Sequence, residues 1–141
     1  MHRLGPDRPL NQCLRPDDPQ YGGDDVEGYP GSTPCARVRL PLSRVSEGYG
    51  FDYPVDQAGL HELRATERDM GPTRRGLNDS AERISGMVAH LQGGKKLPAV
   101  VGETLPDGQV AVWDGYHRIS ASRLAGRDSI EAFVAPVRKP R

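Results

Sequence analysis

Residues 110–126 read VAVWDGYHRISASRLAG, and the change of pattern inside this stretch decides the fold class. Val110, Ala111, Val112 and Trp113 are apolar without alternation, the mark of a short strand covered on both faces. Asp114 and Gly115 break the run, and glycine accepts backbone angles closed to other residues, so the chain turns there. From Tyr116 the residues read as a helix until Gly126, which stands in the usual position just past a helix end. A buried strand that turns through glycine into a helix puts His117 and Arg118 on the first helical turn. The N–H groups of that turn have no partner within the helix, and the dipole is positive there. Arg118 adds a planar fork of donors suited to phosphate. The stretch therefore has the make-up of an anion site, although in an ordinary strand–turn–helix the same two side chains would only face water.

The flanking sequence supplies the rest of a small α+β domain. Residues 97–101, LPAVV, read as a strand, and Leu105-Pro106-Asp107-Gly108-Gln109 as a hairpin turn back into residues 110–113. Residues 130–134 alternate as a last strand, and residues 37–42 alternate as a first one that Pro41 ends or holds at an edge. Residues 60–70 predict a short helix with a thin apolar face of Leu60, Leu63 and Met70, stopped by Gly71-Pro72. Asp79 and Glu82 form a capping-box pattern ahead of Ile84, Met87, Val88 and Leu91, whose spacing marks the clearest amphipathic helix. Gly93-Gly94 ends it. Together these give an α+β fold with a small mixed sheet and about three helices over residues 37–141. Residues 1–36, with proline, glycine and aspartate and no periodicity, read as a flexible leader.

Composition narrows the classes. The chain has 141 residues, enough for one core, but only 35% are hydrophobic, against 17 glycines and 13 prolines. No apolar run approaches the length of a membrane span, and nothing resembles a signal peptide, so a cytoplasmic protein without membrane contact is expected. Lysine plus arginine and aspartate plus glutamate number 19 each, so there is no polycationic surface of the kind most nucleic-acid binders show. Arg74-Arg75, Lys95-Lys96 and Arg138-Lys139-Arg141 are small basic clusters of the kind that are mostly solvated. Cys13 and Cys35 lack metal-site spacing and are expected to be incidental. Tyr49, Phe51 and Tyr53, in a loop, have two uses: stacking on a base, or capping the core, which is the simpler.

Asp114-Gly115-Tyr116-His117-Arg118, followed by Ala121 and Leu124-Ala125-Gly126, resembles the D-G-x-H-R-x-x-A-x-x-x-x-G signature of the ParB/sulfiredoxin-like superfamily. Leu97-Pro98-Ala99-Val100-Val101 is similar to the strand before that motif in the family, residues 129–134 to the strand after it, and residues 38–45 to the family's opening strand and turn. The resemblance spans residues 37–137. It implies a compact domain that holds the phosphates of a nucleotide, ATP, ADP or CTP with Mg²⁺, at this strand–turn–helix. On that implication Gly115, Tyr116, His117 and Arg118 bind the phosphate. His117 donates to phosphate or moves a proton. Asp114 orients His117, caps the helix or meets the Mg²⁺.

Departures from the family pattern narrow the activity. Sulfiredoxin has its reactive cysteine directly before the His-Arg pair, where this chain has Tyr116, so sulfinic-acid reduction is not expected. Partitioning ParB proteins carry a G-E-R-R type motif and a following helix-turn-helix domain; here the sequence given closes at Arg141, soon after the last strand, and DNA binding by that route is not expected. The D-G-x-H-R form is similar to small phosphotransfer members such as the free-serine kinases, which use a glutamate after the opening strand as general base. Glu47 holds a comparable place, though Ser46-Glu47-Gly48 does not match the family wording. Phosphotransfer to a small-molecule hydroxyl, or nucleotide hydrolysis, is the leading expectation. The alternative is a non-enzymatic nucleotide-sensing or DNA-associated accessory module of a plasmid or phage. The base, the acceptor and the oligomeric state have no readable code.

Overall fold

The computed structural model describes residues 1–10, 33–46, 53–71 and 79–137. Among them are strands β1 (His2–Arg3), β2 (Arg8–Pro9), β3 (Pro34–Pro41), β4 (Val100–Thr104), β5 (Val110–Asp114) and β6 (Ser129–Ala135), and helices α1 (Gln57–Met70), α2 (Ser80–Gln92) and α3 (Tyr116–Leu124). This is an α+β fold with a mixed sheet. Contacts divide the chain into two units. One comprises Met1–Tyr49, Ala99–Gly115 and Ser129–Arg141, and the other Gly50–Pro98 and Tyr116–Asp128. All the strands lie in the first and all three helices in the second. No helix of the described residues is long and apolar enough to cross a membrane.

The sheet runs β1-β3-β6-β4-β5, with β2 also paired to β3. β3 and β6 are antiparallel, as are β4 and β5, while β4 and β6 are parallel. The expected hairpin is present: Asp107 Oδ1 accepts from the Gln109 N–H and the Gly108 N–H donates to the Leu105 carbonyl. Val110, Ala111 and Val112 are all buried, as an unalternating apolar run requires. After β3 a 3₁₀ turn at Leu42–Arg44 leads to Val45, which bridges to Val110, and the Ser46 N–H donates to the Val110 carbonyl at 2.8 Å.

Three boundaries differ from the sequence reading. β4 starts at Val100, not at residue 97, because Pro98 has no N–H to give a ladder and Leu97 packs against the apolar cluster of the helical unit. β3 starts at Pro34, ahead of residue 37, because Cys35 is fully buried beside Leu10, Val101 and Ala135. Within the segment read as a leader, β1 and β2 pair with β3, and the Leu10 N–H donates to the Thr33 carbonyl at 2.8 Å. Arg8 also covers the Phe133 ring, 5.2 Å from its centroid. Cys35 thus works as a small apolar core residue. Residues 11–32, Cys13 among them, lie outside the described residues.

In the helical unit, Leu60 of α1, Ala81, Ile84, Val88 and Leu91 of α2 and Ala121 of α3 share one apolar cluster. Met70, expected on the apolar face of α1, is 65% exposed, since it is the last residue of that helix. α3 closes as the Gly126 signal predicts. Gly126 has φ 75°, its N–H donates to the Arg123 carbonyl, and the Arg127 N–H donates to the Ser122 carbonyl, the two bonds of a left-handed helix cap.

The most constrained backbone position is Gly115, the residue between β5 and α3. Its φ is 123°, and a Cβ there would collide with the Val100 side chain. Gly115→Ala combines a disfavoured φ with overpacking against a β-branched neighbour that cannot swing away. It is expected to destabilise the protein by roughly 2–4 kcal/mol, read as a lower urea midpoint.

Candidate functional site

The site is built where two helices begin. Ser80 is the first residue of α2, and Tyr116, His117 and Arg118 are the first three of α3. His117 Nε2 lies 3.0 Å from Ser80 Oγ. Tyr53, three residues before the cap of α1, stacks on Tyr116 with centroids 5.3 Å apart and planes at 12°. It also meets His117 edge-on at 5.2 Å. Both geometries suit aromatic pairs, and together they fix the imidazole from a second side. Tyr53 also packs against the helical cluster, which is the capping use expected for it.

The start of α2 is held by a residue the sequence does not single out. Glu67 of α1 accepts from the Ser80 N–H at 2.8 Å and from the Ala81 N–H at 2.7 Å, one carboxylate oxygen to each. The expected capping box is therefore absent. Asp79 makes no side-chain cap bond, and Glu82 bonds outward to Arg64. The carboxylate from the neighbouring helix answers the orphan N–H groups and the dipole at once. The cap of α1 itself is local, Asp56 accepting from the Gly59 N–H at 2.8 Å.

His117 is half-buried, and burial pushes its pKa below the ordinary histidine value. The Arg83 guanidinium pushes the same way, Asp79 and Glu67 oppose it, and Arg118 adds a smaller downward push. Its resting form at neutral pH is the neutral imidazole, which has one nitrogen free to accept a proton. Tyr53 is raised by burial, against the lowering effect of Arg83. Arg118 is only 5% exposed, with Nη1 3.4 Å from the Pro98 carbonyl oxygen. Its own carbonyl accepts from Ser122 Oγ at 2.8 Å. A guanidinium keeps its charge when buried.

The expected residues thus fall into three groups. Tyr116, His117 and Arg118 stand together on the first turn of α3, with Gly115 immediately before it. Asp114 is the last residue of β5, in register with Val101 and half-buried. Glu47, Tyr49, Phe51 and Arg74-Arg75 lie outside the described residues. Among the described residues no group of three His, Cys, Asp or Glu could hold a metal ion. Ser120 is fully buried, and its Oγ has no partner among the described residues. Ser80, Glu67 and Arg83 were not legible: the Ser80–His117 pair joins residues 37 positions apart, with no local pattern to announce it.

No family model matches the chain, and no curated protein or solved structure matches it.

Two outcomes follow from this geometry. Glu67→Ala strips the start of α2 of its acceptor and is expected to cost about 1 kcal/mol, the usual scale of a lost helix cap, measured by urea denaturation. His117 binds a proton more weakly folded than unfolded, so the unfolded chain takes up more protons as pH falls below about 6.5. Stability conferred by the neutral form is accordingly lost on acidification. The melting temperature should fall between about pH 7.5 and about pH 5.5, and His117→Gln should make that fall shallower.

Proposed function

We propose that this chain is a nucleotide-binding protein of the ParB/sulfiredoxin-like type that passes a phosphoryl group from a nucleotide to a hydroxyl. The observation that carries the reading is the passage from β5 through Gly115 into α3, which puts His117 and Arg118 on a first turn. The N–H groups of a helix start, a positive dipole end and a guanidinium make a phosphate cradle. Phosphoryl transfer is mostly positioning and charge stabilisation, so such a cradle supplies much of what the reaction needs.

In this reading the first-turn N–H groups of α3 and the Arg118 fork bind phosphate oxygens. The neutral His117 takes the proton from the attacking hydroxyl, a role its lowered pKa favours over that of a phosphate-binding cation. Gly115 supplies the positive φ of the turn that precedes this first turn. Mg²⁺ would neutralise phosphate charge, with Asp114 as its carboxylate; a single carboxylate suffices where phosphates and water complete the shell. Tyr116 stays packed on Tyr53 and contributes its backbone. The reading places the protein in the cytoplasm, where nucleoside triphosphates are abundant.

The test is calorimetry of the full chain against ATP, ADP, CTP and GTP with Mg²⁺, beside Arg118→Lys, which keeps the charge and loses the fork. Because a charged hydrogen bond is worth about 1.5–3 kcal/mol, affinity should fall roughly tenfold to a hundredfold. An unchanged affinity in that variant refutes the phosphate assignment.

A further inference from the structure

We propose that Ser80 is itself a phosphoryl acceptor and that His117 is its base. The proposal rests on the nucleotide reading for its donor, but on separate residues for its geometry. Ser80 is only partly exposed, and its Oγ lies 3.0 Å from His117 Nε2. Both partners are held. Glu67 clamps the Ser80 and Ala81 N–H groups, and Tyr53 braces the imidazole edge-on. A serine hydroxyl is a weak nucleophile until a neighbouring base takes its proton. With the ring proton on Nδ1, Nε2 is the acceptor that faces it. Arg83, three residues along α2, lies on the same helical face as Ser80 and brings a positive charge to the position where a phosphate would form.

The step balances with a nucleoside triphosphate as donor. Ser80 Oγ attacks the γ-phosphorus and the Oγ–P bond forms. The bond from that phosphorus to the bridging oxygen breaks, its electron pair leaving with the nucleoside diphosphate. The Ser80 proton passes to His117 Nε2. The product is phosphoserine at the start of α2, where the helix dipole favours negative charge.

The experiment incubates the full chain with Mg²⁺-ATP and, in a parallel arm, with acetyl phosphate, an acyl-phosphate donor that needs no nucleotide site. Intact mass and peptide mapping read the modification, and calorimetry reads ATP binding to the wild-type chain. One phosphoryl group on Ser80 is expected, lost in Ser80→Ala and restored on the threonine hydroxyl in Ser80→Thr. Ser80→Ala keeps both N–H groups that Glu67 holds. His117→Gln should slow the modification by roughly a hundredfold or more, the scale of general-base catalysis. ATP binding without modification by either donor overturns the acceptor role and leaves the nucleotide reading standing. Modification of Ser80 by acetyl phosphate in a chain that binds no nucleotide supports the acceptor and overturns the nucleotide reading. Modification elsewhere, or undiminished in His117→Gln, overturns the assignment.

Discussion

Gly115 is the single residue between β5 and α3, and the Val100 side chain fills the space that its Cβ would need. The chain has no slack there. β5 is held by the β4 ladder and by the Ser46–Val110 bond, so the helix must start where the strand stops. The turn out of β5 passes through a backbone angle that side-chain-bearing residues rarely adopt. On the first turn of α3, His117 is held by Ser80 and Tyr53, and Arg118 meets the Pro98 carbonyl.

The start of α2 is set differently, by a bond between elements. Glu67 gives one oxygen to each of two successive N–H groups, so the beginning of α2 is tied to the body of α1. The shared apolar cluster fixes the two helices side by side, and the carboxylate fixes where along that contact α2 begins. Ser80 is the first of the two residues in this tie. Its backbone N–H is taken by Glu67, and its hydroxyl meets His117 Nε2 at 3.0 Å.

Local patterns in the sequence carried a good deal of this. The unalternating run at Val110, the Asp107-Gly108 turn, the i, i+3, i+4, i+7 spacing from Ile84 and the Gly126 cap are each short-range signals, and each produced the expected element. The legible elements fail at their ends, where a distant partner decides. Leu97 carries an apolar side chain that looks like strand but serves the helical cluster. Cys35 looks incidental until Leu10 and Ala135 arrive around it. Asp79 and Glu82 satisfy the capping-box pattern, yet a carboxylate 13 residues upstream takes the position. Of the candidate site, the consecutive residues Gly115 to Arg118 could be read because they are consecutive. The Ser80–His117 pair could not, because nothing local links the two.

The order of the sheet also dictates a sequence of events in time. β4 and β5 are neighbours in the chain and can close as a hairpin as soon as both exist, a fast local step. β3 pairs with β6 in a register that joins Ala36 to Val134, residues separated by more than two thirds of the chain. Long-range pairings pay their loop-closure entropy before any contact rewards it. During synthesis β3 therefore waits, with only the short β1 and β2 along its other edge, until almost everything else has been made. That interval leaves a buried-type strand exposed to the wrong partner. Pro34 at its start and Pro41 at its end are residues that resist a foreign ladder extending past either end.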